Sequence, residues 1–314
     1  MSGSLAFVFP GQGSQAVGML HELATSYPAV RDAFDEASEV LAYDLWRLVA
    51  EGPKEELDRT EHTQPAMLAA GVGVWRTWAV AGGAAPTLLA GHSLGEYSAL
   101  VAAEAIAFPD AVAIVAERAR LMQEAVPNEE GAMAAIIGLA DADVLSLCEQ
   151  ASQGDVLEAV NFNAPGQVVV AGMRSAVLRA ATAAKDGGAR AVMMLPVSVP
   201  AHSSLMRSAA DQLARRLGET AISPPRFPVL HNATAAAAAE PAEIRALLVR
   251  QLYSPVRWVE TVQRLGQEGA TIVIECGPGR VLAGLGRRID KRLKTLPVFD
   301  TETLAAALEA IDAT

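Results

Sequence analysis

Short apolar runs that stop at glycine, proline or asparagine alternate along this chain with patterns typical of helices. This alternation constrains the possible folds more than any other feature. It predicts an α/β fold, in which parallel strands lie side by side and helices connect them. One apolar run stops at Pro10, and another is followed at once by Gly91 and a helical pattern. The strands predicted in this way span residues 5–9, 87–90, 192–199, 227–231 and 271–276.

The middle third of the chain predicts a second unit with its own order of elements. That order is β-α-β-β-α-β, as in a ferredoxin-like unit. We therefore expect an α/β-hydrolase-like large domain with a parallel sheet, formed by residues 1–127 and 200–314, and an inserted ferredoxin-like small domain at 128–199. Strands of the small domain are predicted at 132–139, 156–162, 167–171 and from 191 onward, and its helices at 141–152 and 175–186.

The composition is that of a folded protein in a reducing compartment. Hydrophobic residues make up 51% of the 314 residues and charged residues 19%, which excludes intrinsic disorder. No uncharged apolar run reaches the roughly 18 residues that cross a bilayer, and no basic stretch typical of a secretory signal begins the chain. Cys148 and Cys276 provide neither a disulfide framework nor a CxxC metal pattern. We expect a soluble, cytoplasmic protein with no membrane partner and no metal site.

The strongest chemical signal is the segment Gly91-His92-Ser93-Leu94-Gly95, which fits the pattern G-x-S-x-G. A predicted strand precedes it and a predicted helix follows it. In that context the serine sits on a sharp turn with its hydroxyl exposed at the end of the sheet. The N-terminal N–H groups of the following helix favour a developing negative charge there. The pattern indicates a nucleophilic Ser93, although a serine in such a turn can also be purely structural.

A serine nucleophile needs a base, and the chain has five histidines. His21 and His62 lie in polar segments, which predicts surface positions. His92 adjoins the serine, but neighbouring side chains on a tight turn diverge, so we expect it to line the pocket instead. His202 and His231 each end a predicted strand, at the sheet edge where α/β sites assemble. The residues alone leave both as candidates for the base.

Further motifs follow in order along the chain. They are Gly11-Gln12-Gly13-Ser14-Gln15, residues 91–97, Arg118 with residues 122–127, Asn161-Phe162-Asn163, residues 199–203, residues 251–256 and Gly277-Pro278-Gly279. Together they resemble the malonyl-CoA:acyl carrier protein transacylase family, the acyltransferases of type II fatty-acid synthesis. The resemblance extends from about residue 7 to about residue 288. Several ordered motifs are far more specific than any one of them.

The resemblance implies a role for each of the main site residues. Ser93 is implied as the nucleophile and His202 as its general base, which decides between the two histidines. Gln251 matches the position whose backbone carbonyl orients that histidine in place of a triad carboxylate. Backbone N–H groups of Gln12 and Leu94 match the oxyanion hole. A carbonyl adds no buried anion beside the malonyl carboxylate, so we expect no acidic residue against Nδ1 of His202.

Arg118 matches the family residue that pairs with the free carboxylate of the malonyl group. A guanidinium offers two parallel donors to a carboxylate, which favours malonyl over acetyl. On the predicted helix 110–126, Arg118 lies at the edge of the apolar stripe, a position that by itself fits a solvated arginine equally well. We also expect His92, Gln64 and Asn161 to contribute to substrate binding.

The expected partners, malonyl-CoA and acyl carrier protein, are strongly anionic, whereas this chain has a net charge of −11. That charge disfavours binding to nucleic acid. We expect the carrier protein to dock on a basic cluster that includes Arg287, Arg288 and Lys291, although a solvated helix face explains the cluster equally well. No cofactor is expected, since the coenzyme A thioester is itself the substrate, and a monomer suffices. His231 stands where the family pattern has an asparagine, and its role is open.

Three other functions fit parts of the pattern. A serine esterase or thioesterase uses the same turn, but it usually supplies an acidic triad residue and accepts water. A binding subunit that docks a carrier without turnover would not need both Ser93 and His202. A related transacylase of polyketide or malonate metabolism shares the motifs, and they separate it poorly from the fatty-acid enzyme. The free-standing length favours the fatty-acid enzyme.

Overall fold

The computed structural model describes residues 4–127, 129–197 and 199–312, in which helices surround two β-sheets. Asn128, at the predicted domain boundary, and Ser198, in the predicted strand 192–199, lie outside the described residues. The strands are β1 (Ser4–Phe9), β2 (Leu88–Gly91), β3 (Gly131–Ile137), β4 (Leu157–Ala164), β5 (Gln167–Met173), β6 (Ala191–Met194), β7 (Val229–His231), β8 (Ala236–Ala237), β9 (Ala270–Cys276) and β10 (Lys294–Val298). The helices are α1 (His21–Ser26), α2 (Pro28–Leu41), α3 (Leu45–Glu51), α4 (Lys54–Leu57), α5 (Thr60–Val80), α6 (Gly95–Ala102), α7 (Phe108–Glu124), α8 (Asp141–Ser152), α9 (Arg174–Asp186), α10 (Arg207–Glu219), α11 (Pro241–Gln251), α12 (Trp258–Gln267), α13 (Val281–Ile289) and α14 (Thr301–Asp312), with a short 3-10 helix at Ser204–Met206.

The larger sheet has the strand order β10-β9-β1-β2-β7-β8. Its neighbouring strands pair in parallel, except that β8 runs antiparallel to β7. In the register of the two central strands, Phe9 lies opposite Gly91. The carboxyl ends of β1 and β2 therefore meet at one edge of the sheet, which is where the sites of α/β proteins assemble.

The central strand β1 explains why helices cover this sheet on both faces. Leu5, Phe7 and Phe9 pack into the core on one face, and Ala6 and Val8 pack into a second core on the other. Successive side chains of a strand point to opposite faces, so a strand that is apolar throughout must be covered twice.

The smaller sheet is antiparallel throughout, with the order β4-β5-β3-β6. Ala134 and Ile136 of β3 pack with apolar side chains of α8 and α9 on one face, whereas Met133 lies on the other. A backbone contact joins the two parts of the chain, because the N–H of Val256 donates to the carbonyl of Val160 at 2.8 Å. The predicted α/β fold with an inserted β-α-β-β-α-β unit is confirmed.

One predicted strand ends earlier in the structure, and two strands of the structure were not predicted. The strand expected at 192–199 ends at Met194, shortly before Pro196, which has no N–H to donate to a sheet. Residues 235–239, where no strand was predicted, include β8, which pairs with the edge of the larger sheet. The strand β10 was not predicted, and it contains Pro297, a residue that strands tolerate at the edge of a sheet, where β10 lies.

Glu275 fastens α13 to the larger sheet. Its side chain is fully buried on β9, and its two oxygens accept hydrogen bonds from the backbone N–H groups of Leu282 at 3.0 Å and Ala283 at 2.7 Å. Both N–H groups lie in the first turn of α13, where a helix provides no acceptors of its own. A carboxylate also interacts favourably with the positive end of the helix dipole. Glu275 therefore caps the helix from a neighbouring strand.

Replacing Glu275 by alanine leaves two buried N–H groups without acceptors, so we expect the free energy of unfolding to fall by about 2–4 kcal/mol. Chemical denaturation followed by circular dichroism measures the change. Glu268→Ala is the control, because Glu268 is exposed and its ion pair with Arg264 should contribute less than about 1 kcal/mol. Equal losses in the two variants would contradict the capping role of Glu275.

Candidate active site

Ser93 lies on the turn between β2 and α6, and its backbone has a φ of 51°, in the left-handed region. The glycines of the motif are required sterically. A Cβ on Gly91 would lie 1.9 Å from the carbonyl carbon of Gly95, and a Cβ on Gly95 would lie 2.0 Å from the carbonyl oxygen of Phe9. Neither clash could be relieved without moving backbone. The sharp turn that the sequence motif predicts is therefore present.

Two side chains hold this strained turn. The N–H of Ser93 donates to Oδ1 of Asn232 at 2.6 Å, and Nδ2 of Asn232 donates to the carbonyl of Gly91 at 2.6 Å. On the other side, Nε2 of Gln251 donates to the carbonyl of Ser93 at 2.9 Å. The backbone of the serine is thus fixed from both directions, which sets the direction of its hydroxyl.

His202 is the histidine that reaches the serine. The Ser93 hydroxyl donates to Nε2 of His202 at 2.7 Å, and Nδ1 of His202 donates to the backbone carbonyl of Gln251 at 2.7 Å. The carbonyl acceptor requires the proton on Nδ1, which leaves Nε2 free to accept. Within the described residues, no acidic side chain contacts Nδ1 of His202. The other candidate, His231, donates from Nδ1 to Glu96 instead.

The imidazole of His202 is held neutral. Burial, together with the positive charge of Arg118, lowers its pKa to about 3, although the hydrogen bond to the Gln251 carbonyl opposes the shift. A histidine with a lowered pKa stays in its basic form well into the acid range. At neutral pH the side chain is therefore ready to accept a proton from the serine hydroxyl.

Arg118 is buried, with 1% of its surface exposed, which shows that a solvated arginine is the wrong interpretation. Its Nη1 donates to Oε1 of Gln64 at 2.6 Å, and its Nη2 donates to Oε1 of Gln251 at 3.0 Å. Its Nε has no hydrogen-bond partner in the part of the chain that the structure describes. No carboxylate there forms an ion pair with it. A buried guanidinium whose partners are neutral amides is poised to receive an anion.

A cavity of about 420 Å³ brings the predicted residues together. It is lined by Ser93, His202, Arg118, Gln12, Leu94, Gln64, His92 and Asn161, together with apolar side chains that include Met122, Met133, Leu195 and Val199. Gln251 lies behind this cavity and acts through the contacts described above. A larger groove of about 940 Å³ between α8 and α9 contains none of the predicted site residues.

The loop after β1 approaches the serine turn closely. A Cβ on Gly11 would lie 2.5 Å from the carbonyl oxygen of His92, so only glycine permits this approach. The following residue, Gln12, lines the cavity, as does Leu94, which follows the serine in sequence. Among the described residues, the backbone N–H groups of Gln12 and Leu94 have no hydrogen-bond acceptor. Both are thus available to an oxygen atom near Ser93.

The remaining predicted residues divide into two groups. His92 borders the cavity but donates from Nε2 to Oδ1 of Asn163 at 2.8 Å, and burial lowers its pKa. Oδ1 of Asn161 is buried in the cavity wall without a partner among the described residues. In contrast, Arg287, Arg288 and Lys291 are exposed, on α13 and just after it, and do not line the cavity. Arg288 donates to Gln167, the first residue of β5, and to the carbonyl of Pro165 in the turn between β4 and β5.

Two residues that the sequence analysis did not identify support the site. Asn232 clamps the serine turn, and Glu96, fully buried in α6, accepts from Nε2 of Gln251 at 2.9 Å. The site therefore contains a buried carboxylate, but it contacts the side-chain amide of Gln251 and not Nδ1 of His202. A glutamate inside the apolar stretch after the serine motif was the available signal for Glu96.

Other classes of site find no support within residues 4–127, 129–197 and 199–312. No group of histidine, cysteine, aspartate or glutamate side chains there could hold a metal ion. Cys148 and Cys276 are buried and unbridged. None of the helices described is both long enough and apolar enough to cross a bilayer.

This arrangement is typical of an enzyme that forms an acyl-serine intermediate. It combines a serine that contacts a neutral histidine, two backbone N–H groups available to an oxygen atom, and a buried cation. The sequence matches the family described as "Acyl transferase domain" over residues 6–298. The chain belongs to this family and is an acyltransferase.

Several relatives are similar over nearly the whole chain. Proteins named malonyl CoA-acyl carrier protein transacylase are 52% identical in Salmonella typhimurium, covering 96% of this chain and 98% of the relative, and 45% identical in Bacillus subtilis, covering 98% and 97%. The solved transacylase from Coxiella burnetii is 48% identical with a TM-score of 0.97, covering 99% and 98%. A malonyl-transacylase solved with a type II polyketide acyl-carrier protein is 52% identical with a TM-score of 0.96, covering 98% and 99%.

Removing the charge of Arg118 should raise the pKa of His202. In Arg118→Met the cation disappears but burial persists, so the pKa should rise above about 3 yet stay below the usual 6.5. NMR titration of the imidazole signals measures it. Arg120→Met is the control, since Arg120 lies on the same helix but is exposed and pairs with Glu124. An unchanged His202 pKa in Arg118→Met would contradict the electrostatic coupling.

Proposed function

We propose that this acyltransferase moves a malonyl group from coenzyme A to the phosphopantetheine thiol of acyl carrier protein, through a malonyl ester on Ser93. The observation that carries the proposal is the buried guanidinium of Arg118, which forms no ion pair with the described residues and lies in the same cavity as the Ser93–His202 pair. The names of the relatives give the same reaction.

In the first half-reaction, Oγ of Ser93 attacks the thioester carbonyl while Nε2 of His202 takes its proton. The resulting oxyanion accepts hydrogen bonds from the backbone N–H groups of Gln12 and Leu94. A single such donor is worth on the order of 10²–10³ in rate. Collapse of the intermediate breaks the carbon–sulfur bond, and the departing coenzyme A sulfur takes the proton from His202. The malonyl group remains as an ester on the serine.

The second half-reaction repeats these steps with a different nucleophile. The thiol of the carrier's phosphopantetheine arm gives its proton to Nε2 of His202 and attacks the ester carbonyl. The same two N–H groups hold the oxyanion. The carbon–oxygen bond then breaks, and Ser93 recovers the proton from His202. Every step is an acyl substitution that the chain's own residues can carry out, so the proposal includes no cofactor beyond the coenzyme A thioester.

Arg118 selects the malonyl group in this proposal, because its guanidinium can pair with the free carboxylate that an acetyl group lacks. Gln64 holds the guanidinium from one side at 2.6 Å. Asn161 and His92 complete the wall of the cavity, and the free Oδ1 of Asn161 can accept a hydrogen bond from the substrate. The Gln251 carbonyl fixes the tautomer of the base.

The proposal also covers the domains of the chain, its oligomeric state and its cellular setting. Residues 128–199 form the small domain, supported by the separate sheet and core of β3–β6, α8 and α9, while 1–127 and 200–314 form the large domain. One chain supplies every proposed site residue, which supports a monomeric enzyme. The setting is cytoplasmic fatty-acid biosynthesis, and the carrier of a type II polyketide system is the substrate to compare with a fatty-acid carrier.

Brief exposure to malonyl-CoA should add one malonyl group to the protein, because the ester on Ser93 persists until a thiol accepts it. Intact-protein mass spectrometry measures the adduct. We expect none in Ser93→Ala, a much weaker one from acetyl-CoA, and its loss when holo-carrier protein is added.

Two results would contradict the proposal. Thioester loss to water without an adduct would indicate a hydrolase. A stable adduct from acetyl-CoA equal to that from malonyl-CoA would show that Arg118 does not select the acyl group.

The basic cluster formed by Arg287, Arg288 and Lys291 is proposed to dock the acidic carrier protein. Arg287→Glu and Arg288→Glu should each raise the KM for carrier protein several-fold at low salt and leave the KM for malonyl-CoA little changed, since opposite charges steer association. Steady-state kinetics at two salt concentrations measures this. Arg215→Glu is the control for the change in net charge, because Arg215 is exposed on α10. An unchanged KM for carrier protein at low salt would exclude this docking surface.

A further inference from the structure

Glu96 is a buried charged residue to which the proposed mechanism gives no task. Its side chain is fully buried in the first turn of α6. Three neighbours donate to its carboxylate: Nδ1 of His231 at 2.7 Å, the N–H of Asn232 at 2.9 Å and Nε2 of Gln251 at 2.9 Å. Burying a carboxylate is costly unless donors compensate it, and here three donors do so. A buried carboxylate with three donors this close to Ser93 and His202 indicates a functional role for Glu96.

The carboxylate determines the orientation of the Gln251 side chain. An amide could occupy this place in two ways that exchange Nε2 and Oε1. Nε2 lies 2.9 Å from Oε2 of Glu96 and 2.9 Å from the carbonyl of Ser93, and both of these oxygens are acceptors. The flipped amide would bring its own oxygen against two others, which is unfavourable. Oε1 is therefore directed to Nη2 of Arg118, at 3.0 Å.

We propose that Glu96 is a positioning residue for malonyl specificity. It fixes the Gln251 amide, and the amide fixes the guanidinium of Arg118 in the orientation that receives the malonyl carboxylate. This inference rests on the proposed malonyl transfer. It adds a residue that contacts neither the serine hydroxyl nor the base.

The amide also separates two opposite charges. A carboxylate in direct contact with Arg118 would occupy the donors that the malonyl carboxylate needs. With Gln251 between them, Glu96 still attracts the guanidinium across a buried, poorly screened space. Nε of Arg118 meanwhile has no partner in the described parts of the chain. The cation is thus oriented and still available to a substrate.

His231 makes the arrangement tolerant of one particular change. A neutral imidazole can carry its proton on either nitrogen. In Glu96→Gln, the new amide can donate its NH₂ group to Nδ1 of His231 and keep its oxygen towards Asn232 and Gln251. The hydrogen bond that orients Gln251 would survive the loss of charge. In Glu96→Ala that hydrogen bond is lost.

The test compares acylation of Ser93 by malonyl-CoA with acylation by acetyl-CoA in the full-length protein. The measured quantity is kcat/KM for each substrate, and intact-mass spectrometry counts the active sites. We expect Glu96→Ala to lower the malonyl-to-acetyl ratio by about tenfold or more, because Arg118 loses its fixed position. Glu96→Gln should recover the ratio to within about threefold of the wild type. A purely structural role would reduce both rates by the same factor and leave the ratio unchanged.

Glu39→Ala is the matched control, because Glu39 is exposed on α2 and its loss should not alter the ratio. If Glu96→Ala does not fold, Gln251→Met replaces it, since this variant removes the side-chain amide and keeps the backbone carbonyl that holds His202. It should lower the ratio as well.

Two outcomes would overturn the inference. The first is an unchanged malonyl-to-acetyl ratio in Glu96→Ala, or in Gln251→Met if that variant replaces it. The second is a ratio in Glu96→Gln as low as that in Glu96→Ala. Failure of the wild type to accept a malonyl group would instead overturn the proposed function.

Discussion

The site depends on an unfavourable backbone conformation of Ser93, which contacts with the surrounding residues stabilise. A non-glycine residue with a φ of 51° is strained by about 1–3 kcal/mol, and the turn persists because other contacts over-determine it. Gly91 and Gly95 allow β2 and α6 to approach without a clash, while Asn232 and Gln251 bind the serine backbone on both sides. This turn sets the directions of the Ser93 hydroxyl and of the Leu94 N–H.

Gln251 connects the turn to the rest of the chemistry. It is the last residue of α11, and the final carbonyls of a helix have no partners within the helix. Its carbonyl is therefore free to accept from Nδ1 of His202, which fixes the base without a triad carboxylate. Its side chain contacts Arg118, Glu96 and the carbonyl of Ser93. Gln251 therefore contacts the base, the cation and the backbone of the nucleophile.

Local sequence signals predicted the fold class and the serine turn because both rest on short-range patterns. The choice of His202 over His231, in contrast, came only from resemblance to a family, since both histidines end strands and only tertiary contacts distinguish them. The burial of Arg118 and the role of Asn232 could not be read from spacing, because their partners lie 54 to 141 positions away. The edge strand β10 contains a proline, so its pairing with β9 decided its structure where local preference did not.

The same geometry makes substrate recognition and base strength interdependent. In the free site, the positive charge of Arg118 helps to hold the pKa of His202 at about 3, which keeps the imidazole neutral but makes it a weak base. In the proposed mechanism the malonyl carboxylate pairs with the guanidinium and offsets that charge, so we expect the pKa of His202 to rise when a malonyl group is bound. An acetyl group produces no such rise. We therefore propose that specificity for an acidic acyl group arises from activation of the base as well as from binding, because general-base catalysis improves as the base pKa approaches the operating pH.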